Sequence, residues 1–202
     1  MIEKFLKAKP WQIFLLLIGI PVISQIFLIV LMLTRISTEP NSHQDYMLDI
    51  FQFFPLIMII STALFFGWFW SMAIGLQKFI PPKVTMNVKK FKILFSFPVL
   101  YISLFMIYIG ATFYGFAPIE FFTSDKIILI IMPLHLFSMF CIFYMLYFVA
   151  KTIKTVELQK EVTFGEYIGE FFLLWFYLVG IWIIQPKINI LYKAKGTTAN
   201  NA

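Results

Sequence analysis

The chain has 202 residues, 61% of them hydrophobic, 20% aromatic and only 13% charged, a balance outside that of a water-soluble domain. The net charge of +6 comes from lysines that flank apolar runs with no basic patch interleaved with aromatics, which sets nucleic-acid binding aside. A single cysteine, Cys141, excludes an intramolecular disulfide and a thiolate metal cluster, and the polar connections are too short for a separate soluble domain, so 1–202 reads as one membrane domain.

The start of the chain carries Lys4, Lys7 and Lys9 and superficially resembles a secretory signal. The apolar run that follows, 11–33, is too long for one and lacks a small-x-small cleavage site, so it reads as a signal anchor and first span. Three more runs suffice to cross about 30 Å of hydrocarbon: 50–74, 93–116 and 127–149. Backbone groups in lipid must bond within their own segment, and no strand-like alternation is present, so the fold class is all-α, a bundle of four spanning helices. Each run holds one proline, Pro21, Pro55, Pro98 or Pro133, and proline is tolerated in membrane helices.

Lysines set the orientation. Lys4, Lys7 and Lys9, then Lys78, Lys83, Lys89, Lys90 and Lys92, then Lys151, Lys154 and Lys160 fall on one side, against Arg35 and Lys126 on the other. The amino terminus is therefore expected to be cytoplasmic, in a bacterial inner membrane. Trp11 and Tyr46 stand as interfacial anchors, with Trp68 and Trp70 nearing the inner interface.

The helix-four run is expected to continue past the membrane through Lys151 to Glu161, with Lys154, Glu157 and Glu161 at helical spacing. A fifth apolar stretch, 171–184 within an inserted segment 167–184, is short for a crossing unless it borrows 167–170, and is followed by Lys187, Lys193 and Lys195. It reads as a re-entrant or interfacial insertion with a cytoplasmic carboxyl terminus, the alternative being a fifth span. Thr163-Phe-Gly-Glu166 fits a capping box at its start, flanked by Val162 and Tyr167 as a hydrophobic staple, and Gly180 can serve a turn within it. The tail 196–202 is polar and expected to be disordered.

Small residues recur four apart on helix two as Ala63, Gly67, Ser71 and Gly75, and on helix three at Ser96, Ser103 and Gly110. Close backbone approach along such stripes drives helix association in lipid, so the two faces are expected to meet each other, or one of them to form a dimer. Ionisable and amide groups inside lipid are candidates for function. Gln25, Asp49, Gln52 and His135 share a depth near the outer side, which allows a small polar pocket, or else four separately hydrated or hydrogen-bonded residues. A second block, Glu157, Gln159, Glu166, Glu170, Gln185 and Asn189, sets polarity beside the last insertion and is a candidate cytoplasmic interaction surface or a capped, solvated hairpin. No HExxH, CxxC, nucleophile elbow or P-loop spacing occurs, so no cofactor, metal or catalytic residue is assigned.

The segments 66–77 (FGWFWSMAIGLQ), 156–162 (VELQKEV), 167–172 (YIGEFF) and 182–189 (WIIQPKIN), with 7–12 (KAKPWQ) before them, resemble a family of small bacterial polytopic integral-membrane proteins. The resemblance covers most of the chain and implies a membrane fold, but it brings no substrate or mechanism. The functional expectation is a non-catalytic accessory, scaffold or regulatory subunit whose partners are the bilayer and another membrane protein or a second copy. The alternative is a small oligomeric channel or transporter that uses the outer pocket.

Overall fold

The computed structural model describes residues 1–38, 52–118 and 125–200, and among these the regular structure is helical, with no strand. Four helices are long and apolar enough to cross a bilayer. A short helix α1 (Ile2–Lys7) precedes α2 (Pro10–Phe14), which passes through a π turn (Leu15–Gly19) into α3 (Ile20–Thr38). Next come α4 (Phe54–Gly75) with a 3-10 turn (Gln77–Phe79), α5 (Val88–Phe113), α6 (Asp125–Leu158), α7 (Phe164–Trp175) and α8 (Tyr177–Asn200).

The prolines act differently from one another. Pro21 has no N–H for the Leu17 carbonyl, and its ring would crowd that carbonyl; the wider turn just before it, in which the Ile20 N–H reaches Leu15 O, opens the space. Pro55 lies in the first turn of α4, where a missing donor costs nothing. α4 therefore begins at Phe54, after a turn at Gln52 and Phe53, and residue 50, the expected start of the second span, lies outside the described residues. Pro98 and Pro133 sit inside α5 and α6.

Two spans extend beyond their apolar runs. The third was expected to start at 93, but Asn87 caps α5, its Oδ1 accepting the Lys90 N–H at 2.9 Å, so the lysine-rich lead-in is already helical. α6 continues to Leu158 and stops where Gln159 takes a left-handed φ of 54°. The Gln159 side-chain amide then donates to Val156 O at 2.7 Å and to Phe79 O at 3.1 Å, serving carbonyls at the ends of two helices.

The last apolar segment folds back on itself. Glu170 and Lys187 meet at 2.6 Å, whereas on one continuous helix they would be about 25 Å apart. The reversal is at Phe176, whose N–H bonds Phe172 O at 2.8 Å while its own carbonyl accepts the Gly180 N–H at 2.9 Å. Of the two readings of 167–184, the doubled-back hairpin holds and a straight fifth span does not. α8 runs on to Asn200, through most of the stretch expected to be disordered, because extending an existing helix fixes one residue per bond without a new nucleus.

α4 is the hub, packing against α1, α3, α5 and α6, while α8 packs against α1, α2 and α7. Burial concentrates at one end of the bundle, where Phe69, Met72, Leu76, Phe91, Met145, Val149, Ile153 and Ile184 are sealed. Toward the other end, α3 and residues 128–140 of α6 leave Ile23, Phe27, Leu33, Leu129, Met132 and Leu136 exposed. Composition is apolar throughout, so hydrophobicity alone does not select a side in lipid; contact forms where small and aromatic side chains interlock and polar groups pair.

Candidate functional site: a polar clasp at the packed end

The centre of the packed end is Gln185, fully buried on α8. Its Oε1 accepts the Trp68 indole N–H at 2.9 Å, and its Nε2 faces Phe5 O at 2.8 Å, Ala8 O at 2.9 Å and Asn189 Oδ1 at 3.1 Å. Because indole nitrogen only donates, this contact fixes which end of the amide is oxygen. Asn189, one turn along α8, donates from Nδ2 to the same Ala8 carbonyl at 3.0 Å. The need for these donors is local. α1 ends at Lys7 and Pro10 opens α2, so at the end of α1 the Phe5 carbonyl has only a long 3.4 Å bond from the Ala8 N–H, and side chains from α8 complete the set.

Below the clasp lies a square of alternating charge. Glu157 Oε2 is 2.9 Å from Lys154 and 2.7 Å from Lys187; Glu170 Oε1 is 3.2 Å from Lys154 and 2.6 Å from Lys187. Glu170 is buried and the other three are partly so. Desolvation of such groups roughly offsets their attraction, so the square contributes little net stability but joins the end of α6 to both arms of the α7–α8 hairpin in one register.

Glu166 stands apart, pairing with Lys160 at 2.6 Å and accepting the Thr163 N–H at 2.7 Å as the reach-back half of the capping box. Val162 and Tyr167, the two staple residues, are both buried. The Lys160 ammonium, and then the Thr163 amide, lower the Glu166 carboxyl to about 2. A depressed carboxylate stabilises the folded state above its unfolded value, near 4.5, and that contribution is lost as pH falls toward 2. Comparing thermal melts of wild type and E166Q from pH 6 to pH 2 checks this: wild type is expected to lose its advantage over the variant between about pH 4.5 and 2 and to show no change in the difference above pH 5.

Three of the four outer-pocket candidates, Gln25, Gln52 and His135, lie among the described residues, each on or beside a different helix. His135 is exposed on α6 with its ring centroid 6.2 Å from that of Tyr101, and its neighbours Leu134 and Leu136 are exposed too, while Phe137 meets Phe97 of α5 at 4.6 Å. Gln25 is half-buried on α3, which packs on α4, and Gln52 is half-buried in the turn before α4. Asp49 lies outside the described residues.

The small-residue stripes are divided between two tasks. On α4, an added Cβ at Gly67 would touch the Phe5 ring at 3.5 Å, and one at Gly75 would meet Leu6 at 2.5 Å and Ile2 at 2.7 Å. Ser71 is buried with its hydroxyl on Gly67 O at 2.7 Å. The partner of Gly67 and Gly75 is thus α1. The α5 stripe reaches α4 through Gly110, at Pro55, 3.6 Å from an added Cβ; Ser103 is half-buried, and Ala63, Gly67 and Ser96 line one open groove between α4 and α5. G75L should therefore lift α1 off α4 and expose Lys4 and Lys7 to trypsin at least tenfold faster, read by digestion of the purified protein; unchanged cleavage would refute the docking.

Sequence reading missed α1, although Ile2, Phe5 and Leu6 fall at helical spacing, and took Trp68 for an interfacial anchor when it is sealed in the core. Among the described residues no three His, Cys, Asp or Glu side chains converge as a metal site requires. No family model, no curated protein and no solved structure matches this chain.

Proposed function

We propose that this chain is a non-catalytic accessory, scaffold or regulatory subunit of a bacterial inner membrane, of the small polytopic type its motifs resemble, with both termini cytoplasmic. The lysine distribution supports that orientation. One observation carries the reading: the buried Gln185, Trp68 and Glu170 and the half-buried Asn189 bond to each other, to α1 and to lysines of the same chain, while α3 and the 128–140 part of α6 keep broad apolar sides uncovered. Polarity is spent on holding a rigid end together, and the surface left over is suited to lateral contact within the membrane. A photo-crosslinking residue at Phe27 or Leu136 in native membranes is expected to give a discrete adduct with another membrane protein, and one at the sealed Ile184 to give none. Lipid adducts alone, or solute flux through the purified protein in vesicles, would overturn the proposal.

A further inference from the structure

An outward-facing groove of about 520 Å3 separates α4 from α5. Phe66 and Trp70 form one wall; Phe95, Val99 and Leu100 form the other. Trp70 is held in place by Phe91 and Phe95, with ring centroids 6.0 and 5.0 Å away, so the wall is formed in advance. The hollow exists because Ala63 and Gly67 occupy the α4 side. Ser96 is the polar side chain lining it, and its hydroxyl already donates to Lys92 O at 2.8 Å. The groove therefore presents an apolar trough to the bilayer.

Its charged rim is on the same strip of α5. Lys92 and Lys89 precede Ser96 by four and seven residues, one and two turns back on one helix face, and both are exposed. Neither has a carboxylate within ion-pair distance among the described residues, whereas Lys90 lies over the Tyr144 ring at 5.3 Å. From Lys89 to Leu100 the helix rises about 16 Å, close to half of the roughly 30 Å hydrocarbon thickness. Cationic groups one and two turns before an apolar trough, together spanning about half of the bilayer, match a lipid with a phosphate head and an acyl chain. A helix does not fit: about 10 Å across, it would place only some 7 Å of its length in this volume.

We propose that the α4–α5 groove is a binding site for an anionic glycerophospholipid, with one acyl chain along Phe66, Trp70 and Val99 and the phosphate on Lys89 and Lys92. Unpaired basic groups between membrane helices recognise such headgroups.

The test uses Trp70 as the reporter. Full-length protein is reconstituted in phosphatidylcholine vesicles containing increasing phosphatidylglycerol with brominated acyl chains, and the tryptophan quenching lost on W70F is followed. Saturable quenching is expected at a few mole per cent of the anionic lipid and not with brominated phosphatidylcholine. K92Q should shift the midpoint about fivefold and K89Q/K92Q about thirtyfold, A63L should remove the saturable phase, and K83Q should leave it in place. Equal quenching by the zwitterionic lipid, an equal shift in K83Q, or a saturable phase that survives A63L would overturn the site. So would protection of Trp70 from both lipids, the result expected if a second copy or another protein fills the groove. Should A63L fail to insert, the lysine variants decide the question alone.

Discussion

Gln185→Leu is expected to cost roughly 2–4 kcal/mol and to release the amino-terminal helix while the four spans stay packed. The substitution keeps the volume of the side chain and removes its bonds, stranding the Trp68 N–H and leaving the Phe5 carbonyl with only the Ala8 N–H at 3.4 Å and the Ala8 carbonyl with only Asn189 Nδ2 at 3.0 Å. Each buried polar group left without a partner costs about 1–3 kcal/mol. Interhelical hydrogen bonds in membranes average nearer 0.6 kcal/mol, because in the reference state the groups find other partners. Which figure applies differs across the clasp. The α1 carbonyls can turn to water once α1 swings away, so their penalty is limited by the cost of undocking Phe5 and Leu6. Trp68 is sealed between α4 and α8 and has no such escape. The checks are a thermal melt in detergent, trypsin cleavage at Lys4 and Lys7, and a double-mutant cycle with W68F. A coupling of at least about 1 kcal/mol between positions 68 and 185 is expected; additive variants, or Q185L that melts within 0.5 kcal/mol of wild type, would show that the clasp does not hold the two ends of the chain together.

The parts of this structure that sequence discloses are those fixed by length or by near neighbours. Spans are legible because about 20 apolar residues are the requirement for crossing hydrocarbon, and the Thr163–Glu166 cap is legible because its partners are three residues apart. Depth is legible too, from a fixed rise per residue. Azimuth is not: rotation about each helix axis is set by packing, so a common depth counted for Gln25 and His135 does not say whether they face one another. The Gly67 and Gly75 stripe shows that something approaches closely, but nothing in it distinguishes α5 from a six-residue helix at the start of the chain. Lys154 and Lys187 count as topology signals when read singly; their second task, holding Glu157 and Glu170, depends on a chain reversal that composition does not announce. Gln185 and Asn189 stand out as polar residues in an apolar setting, yet their partners lie at the opposite end of the sequence.

That reversal is most exposed to test at Gly180. A Cβ added there would overlap the carbonyl oxygen of Leu173 and lie 2.6 Å from its carbon. At Gly75 the neighbours are the ends of flexible side chains, which can swing aside; at Gly180 the neighbour is backbone inside α7, which moves only if the helix moves. Overpacking a core ordinarily costs about 1–3 kcal/mol, and with no side chain able to yield, G180A is expected at or above the top of that range. The two arms must separate, which stretches the 2.6 Å contact between Glu170 and Lys187 and uncouples α8 from the charge square. G180A should therefore melt well below wild type, and a double-mutant cycle between E170Q and K187Q should lose most of its coupling in the G180A background. G165A is the control, since nothing lies within 4 Å of a Cβ at that position, and it should melt like wild type. If G180A instead keeps both the wild-type melt and the coupling, the arms are not in backbone contact. Close apposition at residue 180 is what brings Glu170 within reach of Lys187, so the geometry of the whole carboxyl-terminal hairpin rests on that glycine.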